Sequence, residues 1–151
     1  MENIQKDQIF TIGHSNRSLE DLIHILKHYD IEVLVDVRRF PTSKHNPQFK
    51  KDALENKLPE SGIEHVWIEN LGGFRKGGYV DYMETQSFKD ELEKLIEIAK
   101  RKRTAVMCAE LLWFKCHRNF IATALARQGW EVIHIYDEKE TEKHKFVDSL
   151  F

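Results

Sequence analysis

The chain has 151 residues, 41% apolar and 32% charged, with a net charge of −2. That length suits a single domain whose core needs no cross-links, and the charge balance excludes a global positive field for nucleic acid. No apolar run approaches the roughly 20 residues of a membrane span; the opening Met1 to Gln8 lacks the apolar core of a signal peptide, so a cytoplasmic protein is expected.

In chain order, Gln8–Ile12 is a short strand ending in Gly13-His14-Ser15. Ser18 caps a helix that carries Leu19, Leu22, Ile23 and Leu26 on one face. The β-branched run Ile31–Val37 predicts a buried strand; it leads into Asp36-Val-Arg-Arg-Phe-Pro41, where Pro41 stops the ladder. Asn46-Pro47 reads as an N-cap followed by proline at the first helical position, opening a helix to about Leu58, and Gly62 ends that unit. His65–Glu69 is a third strand, followed by the glycine-rich loop Leu71–Gly78 and one helical turn over Tyr79–Met83. Phe88, Leu92, Leu95, Ile96 and Ala99 mark an amphipathic helix. A strand from Thr104, a helix over Cys116–Gln128 closed by Gly129, and a last strand Glu131–Tyr136 complete the series.

Strands alternating with helices predict a single α/β domain, a mostly parallel sheet of about five strands with helices on both faces. His14-Ser15, Asp36 with Arg38, Glu69-Asn70, and Cys108 with Glu110 all follow strands. In a parallel sheet these four clusters share one edge, the edge where open α/β sheets bind ligands.

The run Thr104 to Arg118 holds both cysteines of the chain beside a carboxylate, an imidazole and a guanidinium. In a reducing compartment two cysteines read as thiols, metal ligands or a redox pair rather than a structural disulfide. Cys116, at a helix start beside His117 and Arg118, is the stronger candidate for a thiolate nucleophile; Cys108 also reads as a small buried hydrophobe. Their spacing is not Cys-x-x-Cys, though a reversible disulfide is open to them. Glu110 is a candidate general base if burial raises its pKa, or else caps the next helix or balances Arg118. His14 is a candidate acid–base group or a satisfied hydrogen-bonder, and His117 a further proton-transfer candidate.

For ligand binding, Arg38 and Arg118 form an anion clamp if their loops converge, with Asp36 pairing one of them and Ser15 on the same rim. Gly72 and Gly73 permit a tight loop from which Arg75 and Lys76 approach a ligand, although the phosphate-loop context is absent. Trp113 and Phe114 either plug the sheet edge or wall the crevice and offer a ring to a base. Arg38, Arg39, Lys44, His45, Lys50 and Lys51 form a local basic patch, while Lys100–Arg103 complements a helix dipole. Cys108, Cys116, His117 and His14 have the atoms for zinc but no recognised spacing, so no metal is assigned and the cofactor stays open.

These stretches resemble the domain-of-unknown-function 488 family. The matching residues are Thr11-Ile-Gly-His-Ser15, Leu34-Val-Asp-Val-Arg38, Pro41-x-Ser43, His45-Asn-Pro-Gln-Phe49, Leu71-Gly-Gly73, Tyr79-x-Asp-Tyr-Met83, Met107-Cys-Ala-Glu110, Cys116-His-Arg118 and Val132-Ile-His-Ile135. The resemblance implies an α/β domain and no particular activity. Many relatives carry a longer insert before the Tyr-x-Asp-Tyr-Met element; here only Phe74–Gly78 intervene, which implies a trimmed lid or specificity loop. The cysteine-after-strand arrangement is also similar to rhodanese-like and cysteine-phosphatase domains, but ten positions separate Cys108 from Arg118 and the loop is apolar. Three readings follow: a thiol enzyme acting on an anionic, phosphate- or nucleotide-like molecule; a nucleic-acid or nucleotide-binding module without catalysis; and a metal-bound structural site.

Overall fold

The computed structural model describes residues 7–39, 45–73 and 78–145. Strands β1 (Gln8–Gly13), β2 (Val33–Asp36), β3 (Glu64–Trp67), β4 (Thr104–Cys108), β5 (Glu131–Ile135) and β6 (Thr141–Lys143) form one sheet in the order β3-β2-β4-β1-β5-β6. The first five are parallel, and β6 returns antiparallel to β5. The sixth strand, Thr-Glu-Lys, is exposed along its length and has no apolar alternation to announce it.

Helices α1 (Leu19–His28) and α2 (Lys51–Lys57) cover one face. Leu22, Ile25 and Leu26 of α1 and Leu54 of α2 pack there with Phe10, Ile12, Leu34, Ala105 and Met107 of the strands. Helix α3 (Tyr79–Met83) is a single turn ahead of α4 (Gln86–Arg101), and α5 (Arg118–Arg127) follows β4. Leu92, Leu95 and Ile96 of α4 and Ile121, Ala122 and Leu125 of α5 pack on the opposite face, with Ile9, Val33, Val35, Val106 and Val132. β1, β2, β4 and β5 thus send alternate residues to the two cores, as the twofold repeat of a strand requires.

This arrangement decides where the crevice lies. The connections leaving β1 and β2 pass over the α1/α2 face, and that leaving β4 passes over the α4/α5 face. β4 sits between β1 and β2, so its carboxyl end is the point where neighbouring connections part to opposite faces. Cys108 ends that strand.

Several element boundaries differ from the sequence reading: β2 is shorter than Ile31–Val37, β3 ends at Trp67 with Glu69 opening a 3-10 turn, and two differences lie at helix starts. Pro47–Phe49 forms a 3-10 turn, and Lys50 (φ −61°, ψ 147°) interrupts it before α2 begins at Lys51. Asn46 makes no side-chain cap, and the turn instead serves to bury Phe49 against the His14 ring. Likewise α5 starts at Arg118, with Cys116 fully extended (φ −146°, ψ −179°) ahead of it. The Ser18 cap holds, its hydroxyl accepting from the Asp21 N–H at 3.0 Å. Among the described residues no helix is long and apolar enough to cross a membrane. Pro41, Ser43, Lys44 and residues 74–77, with Arg75 and Lys76, lie outside the described residues.

Candidate active site

Parallel pairing sets Gly13 opposite Cys108 and Asp36 opposite both Met107 and Trp67, so the strand ends finish level with one another. The loop leaving β4 crosses this rim in close contact with β1: a Cβ on Gly13 would lie 1.7 Å from the Glu110 carbonyl oxygen, so only glycine admits the loop there. His14 and Ser15 N–H groups donate to the Cys108 and Ala109 carbonyls, both at 2.9 Å. Ser15, at φ 50°, turns the chain away in the left-handed region.

The two thiols come together on the α4/α5 side of the rim. Cys108 Sγ and Cys116 Sγ are 3.0 Å apart, and both cysteines are free. Cys108 is 2% exposed, while Cys116 is half-buried. The Arg118 N–H, an otherwise orphaned donor at the start of α5, points at Cys116 Sγ at 3.4 Å. The Cys108 hydrogen bond, that N–H and the Arg118 charge together outweigh burial and bring the Cys116 thiol down to about 7. The same bond, accepted by Cys116, and deep burial push Cys108 well above the ordinary thiol range. The pair is asymmetric: Cys116 is the more acidic thiol and Cys108 the more deeply buried one.

Cys116 and Cys108 line a cavity of about 530 Å3 together with Arg38, Arg39, Lys115 and Phe120. Gly73, Glu110, Phe114 and His117 complete much of the wall. His117 Nε2–H donates to the Val37 carbonyl at 2.9 Å, which fixes that ring against β2. Gly72 passes within contact of the Arg39 backbone, where a Cβ would stand 2.5 Å from its nitrogen.

A second cluster lies on the α1/α2 side. Arg38 grips Asp36 with two bonds, Nε to Oδ1 at 2.8 Å and Nη2 to Oδ2 at 2.6 Å, and both residues are buried. His65 adds Nε2 to Asp36 Oδ2 at 3.2 Å, and Trp67 Nε1–H donates to the Arg38 carbonyl at 2.7 Å. Burial alone would raise the Asp36 carboxyl, but the Arg38 and His65 bonds prevail and hold it below the usual range. His14 donates from Nδ1 to the Ser15 carbonyl at 2.8 Å, leaving Nε2 to accept from Arg38 Nη1 at 3.3 Å. Burial, helped by the Arg38 charge, lowers His14 to about 4, so the ring is neutral at pH 7. His14, Ser15, Asn46 and Arg38 line a further cavity of about 460 Å3, which shares Arg38, Ala109 and Glu110 with the first.

The four strand-end clusters therefore do share one edge, but the β4 loop divides it into two basins. Glu69 and Asn70 are exposed and line neither. Arg38 and Arg118 do not converge. Arg38 faces Asp36, whereas Arg118 is 1% exposed, donates Nη2–H to the Leu111 carbonyl at 3.0 Å, and lines neither cavity. Glu110 is exposed at the lip, and with α5 starting at Arg118 it caps no helix. Trp113 turns away from the crevice altogether. Its ring stacks on His134 (4.5 Å, 4°) and its Nε1–H donates to Glu142 at 2.9 Å; Phe114, 52% exposed, is the ring left at the cavity.

The sequence reading did not assign His65, Lys115 or Phe120 to the site, and it placed Arg39 only in the basic patch. Their signal is positional: His65 pairs with Leu34 in register and so shares a face with Asp36. It also missed a buried hydrogen-bond chain beneath Trp113. Thr11 Oγ1 meets His134 Nδ1 at 2.5 Å, His134 Nε2 meets His144 Nδ1 at 2.9 Å, and His144 Nε2 meets Thr123 Oγ1 at 2.9 Å. Burial depresses both rings, His144 to about 4 and His134 further.

Among the described residues no three His, Cys, Asp or Glu side chains assemble into a metal-holding group. The basic patch is also dispersed: Arg38 is paired with Asp36, and Lys51 pairs with Glu55 and lies over the Trp67 ring. Lys100–Arg103 border a cavity of about 560 Å3 at the opposite end of the sheet, with Asp7 and Glu131 and without a nucleophile.

Sheet order, parallel pairing and a thiol pair at the central strand end define an open, mostly parallel α/β domain with a crevice at its carboxyl edge. The chain belongs to the family described as domain of unknown function DUF488, whose model matches residues 18–78 and 74–125. No curated protein and no solved structure matches it.

Proposed function

We propose that the protein is a thiol enzyme whose nucleophile is Cys116, acting on an anionic small molecule held in the 530 Å3 cavity. The observation that carries this reading is the asymmetric sulfur pair: Cys116, half-buried on the cavity wall, receives hydrogen bonds from Cys108 and from the Arg118 N–H. A thiol needs such donors to be ionised at neutral pH, and a thiolate is the attacking species. Arg39 and Lys115 against the single carboxylate of Glu110, with Arg38 already neutralised by Asp36, favour a ligand bearing negative charge, phosphate- or nucleotide-like in size. Phe114 and Phe120 supply the apolar wall that such a ligand's flat or aliphatic part would use. A cytoplasmic setting, where free thiols persist, belongs to the same proposal.

The test is alkylation of the native protein across pH, resolved by peptide mass. Cys116 is expected to label with a midpoint near neutrality and independently of chelator, with Cys108 protected until the protein is unfolded. Equal slow labelling of both residues at every native pH would overturn the reading. The nucleic-acid reading has less behind it, because Trp113 is engaged by His134 and Glu142 and the basic side chains it needs are paired.

A further inference from the structure

Resting on that reading of Cys116, we infer that the Cys108–Cys116 pair reduces low-molecular-weight disulfides that carry carboxylates, Cys116 attacking and Cys108 resolving. The geometry supplies each requirement. The sulfurs are 3.0 Å apart, so closing to the ~2.05 Å of a disulfide asks for a movement of about one ångström. The side chain that must meet the incoming disulfide is half-buried on the cavity wall, and the one that must wait is 2% exposed behind it. A dithiol centre needs this division: an accessible thiolate first, then a partner that reaches only the mixed disulfide. Cys108 ends β4 and is fixed by the sheet, whereas Cys116 lies in extended backbone ahead of α5, so the movement falls on the loop. The cavity fits the substrate class, because it is too large for a peroxide alone and presents Arg39 and Lys115 to carboxylates.

The reaction balances within one turnover. The Cys116 thiolate attacks one sulfur of R–S–S–R, the substrate S–S bond breaks, and RS⁻ leaves. Cys108 then attacks the Cys116 sulfur of the mixed disulfide and releases the second RS⁻, which takes up the proton that Cys108 loses. The products are the Cys108–Cys116 disulfide, one RS⁻ and one RSH, and two electrons have passed from the protein dithiol to the substrate.

The experiment uses the full chain, reduced and freed of reductant, with oxidised glutathione as the probe and cystamine as its cationic counterpart. Wild type is expected to give the internal Cys108–Cys116 disulfide and two equivalents of thiol. Cys108→Ser is expected to stop at the glutathione adduct on Cys116, and Cys116→Ser to lose the reaction. Normalised to a free cysteine derivative, oxidised glutathione should outpace cystamine by at least about tenfold, through the local field of the cavity. If Cys116 still alkylates near neutrality but no internal disulfide forms, the disulfide chemistry is overturned and the nucleophile reading stands. If Cys116→Ser is as reactive as wild type in both assays, both fall. A preference for cystamine would overturn the carboxylate assignment.

Discussion

Arg118 is 1% exposed, and two of its guanidinium nitrogens, Nε and Nη1, have no protein partner. Its charge bears on Cys108, Cys116 and His134 alike, lowering the thiols and opposing a proton on the ring. A buried cation is expensive unless something nearby is negative, and the Cys116 thiolate is the group placed to be so. Replacing Arg118 by Gln should therefore raise the Cys116 labelling midpoint above about 7 by roughly one unit, while Arg118→Lys should keep most of the effect. The backbone N–H to Cys116 survives in both variants, so pH-resolved alkylation isolates the charge; an unmoved midpoint in a folded Arg118→Gln protein would remove the cation from the account. At this scale the sequence was informative about type and poor about partner. The neighbours of Cys116 marked it as the more reactive cysteine, but Arg118 suggested a ligand clamp because its burial depends on the β4 loop folding over it. Trp113 misled for the same reason, since His134 and His144, its packing partners, lie far along the chain.

The β1 end and the β4 loop are the elements whose contact shapes the crevice. Gly13 to Ala places a methyl group 1.7 Å from the Glu110 oxygen, which cannot be accommodated without displacing the loop. The expected cost is at least about 1–3 kcal/mol in denaturant unfolding, together with faster, less pH-selective labelling of both thiols. Ser18→Ala is the control: it removes the α1 cap at about 1 kcal/mol and should leave thiol labelling unchanged. If Gly13→Ala lost stability with the labelling profile intact, the loop would not depend on that contact. Helices and parallel strands were legible because apolar residues repeat at 3.6 or run unbroken, as in Phe88–Ala99 and Val33–Val35. The break at Lys50 and the start of α5 at Arg118 were not, because the burial of Phe49 and the contact that holds Cys116 against Cys108 ahead of α5 depend on the folded chain.

Over the whole molecule, neutral imidazoles are buried on both sides of the sheet: His14 on one, His134 and His144 on the other. All three are depressed from 6.5, His14 and His144 to about 4. The unfolded chain takes up these protons first, so their contribution is complete above pH 6.5 and is lost as pH falls toward 4 and below. Asp36, also depressed, adds its own loss below its ordinary value of 3.8. Thermal melts should show Tm falling between pH 6.5 and 4, beginning above the range in which carboxylates titrate; a flat profile over that window would mean the rings are not held neutral. Strand order was beyond the sequence, since alternation of elements fits several windings. The short β6 was invisible as well, yet it bears on the site. Glu142 of β6 accepts from both Trp113 and Tyr136, so the loop bearing Cys116 is tied to a hairpin beyond residue 125, where the family match ends. The setting of Cys116 thus depends on a hairpin some 25 residues downstream, and loosening that hairpin is expected to change how Cys116 labels.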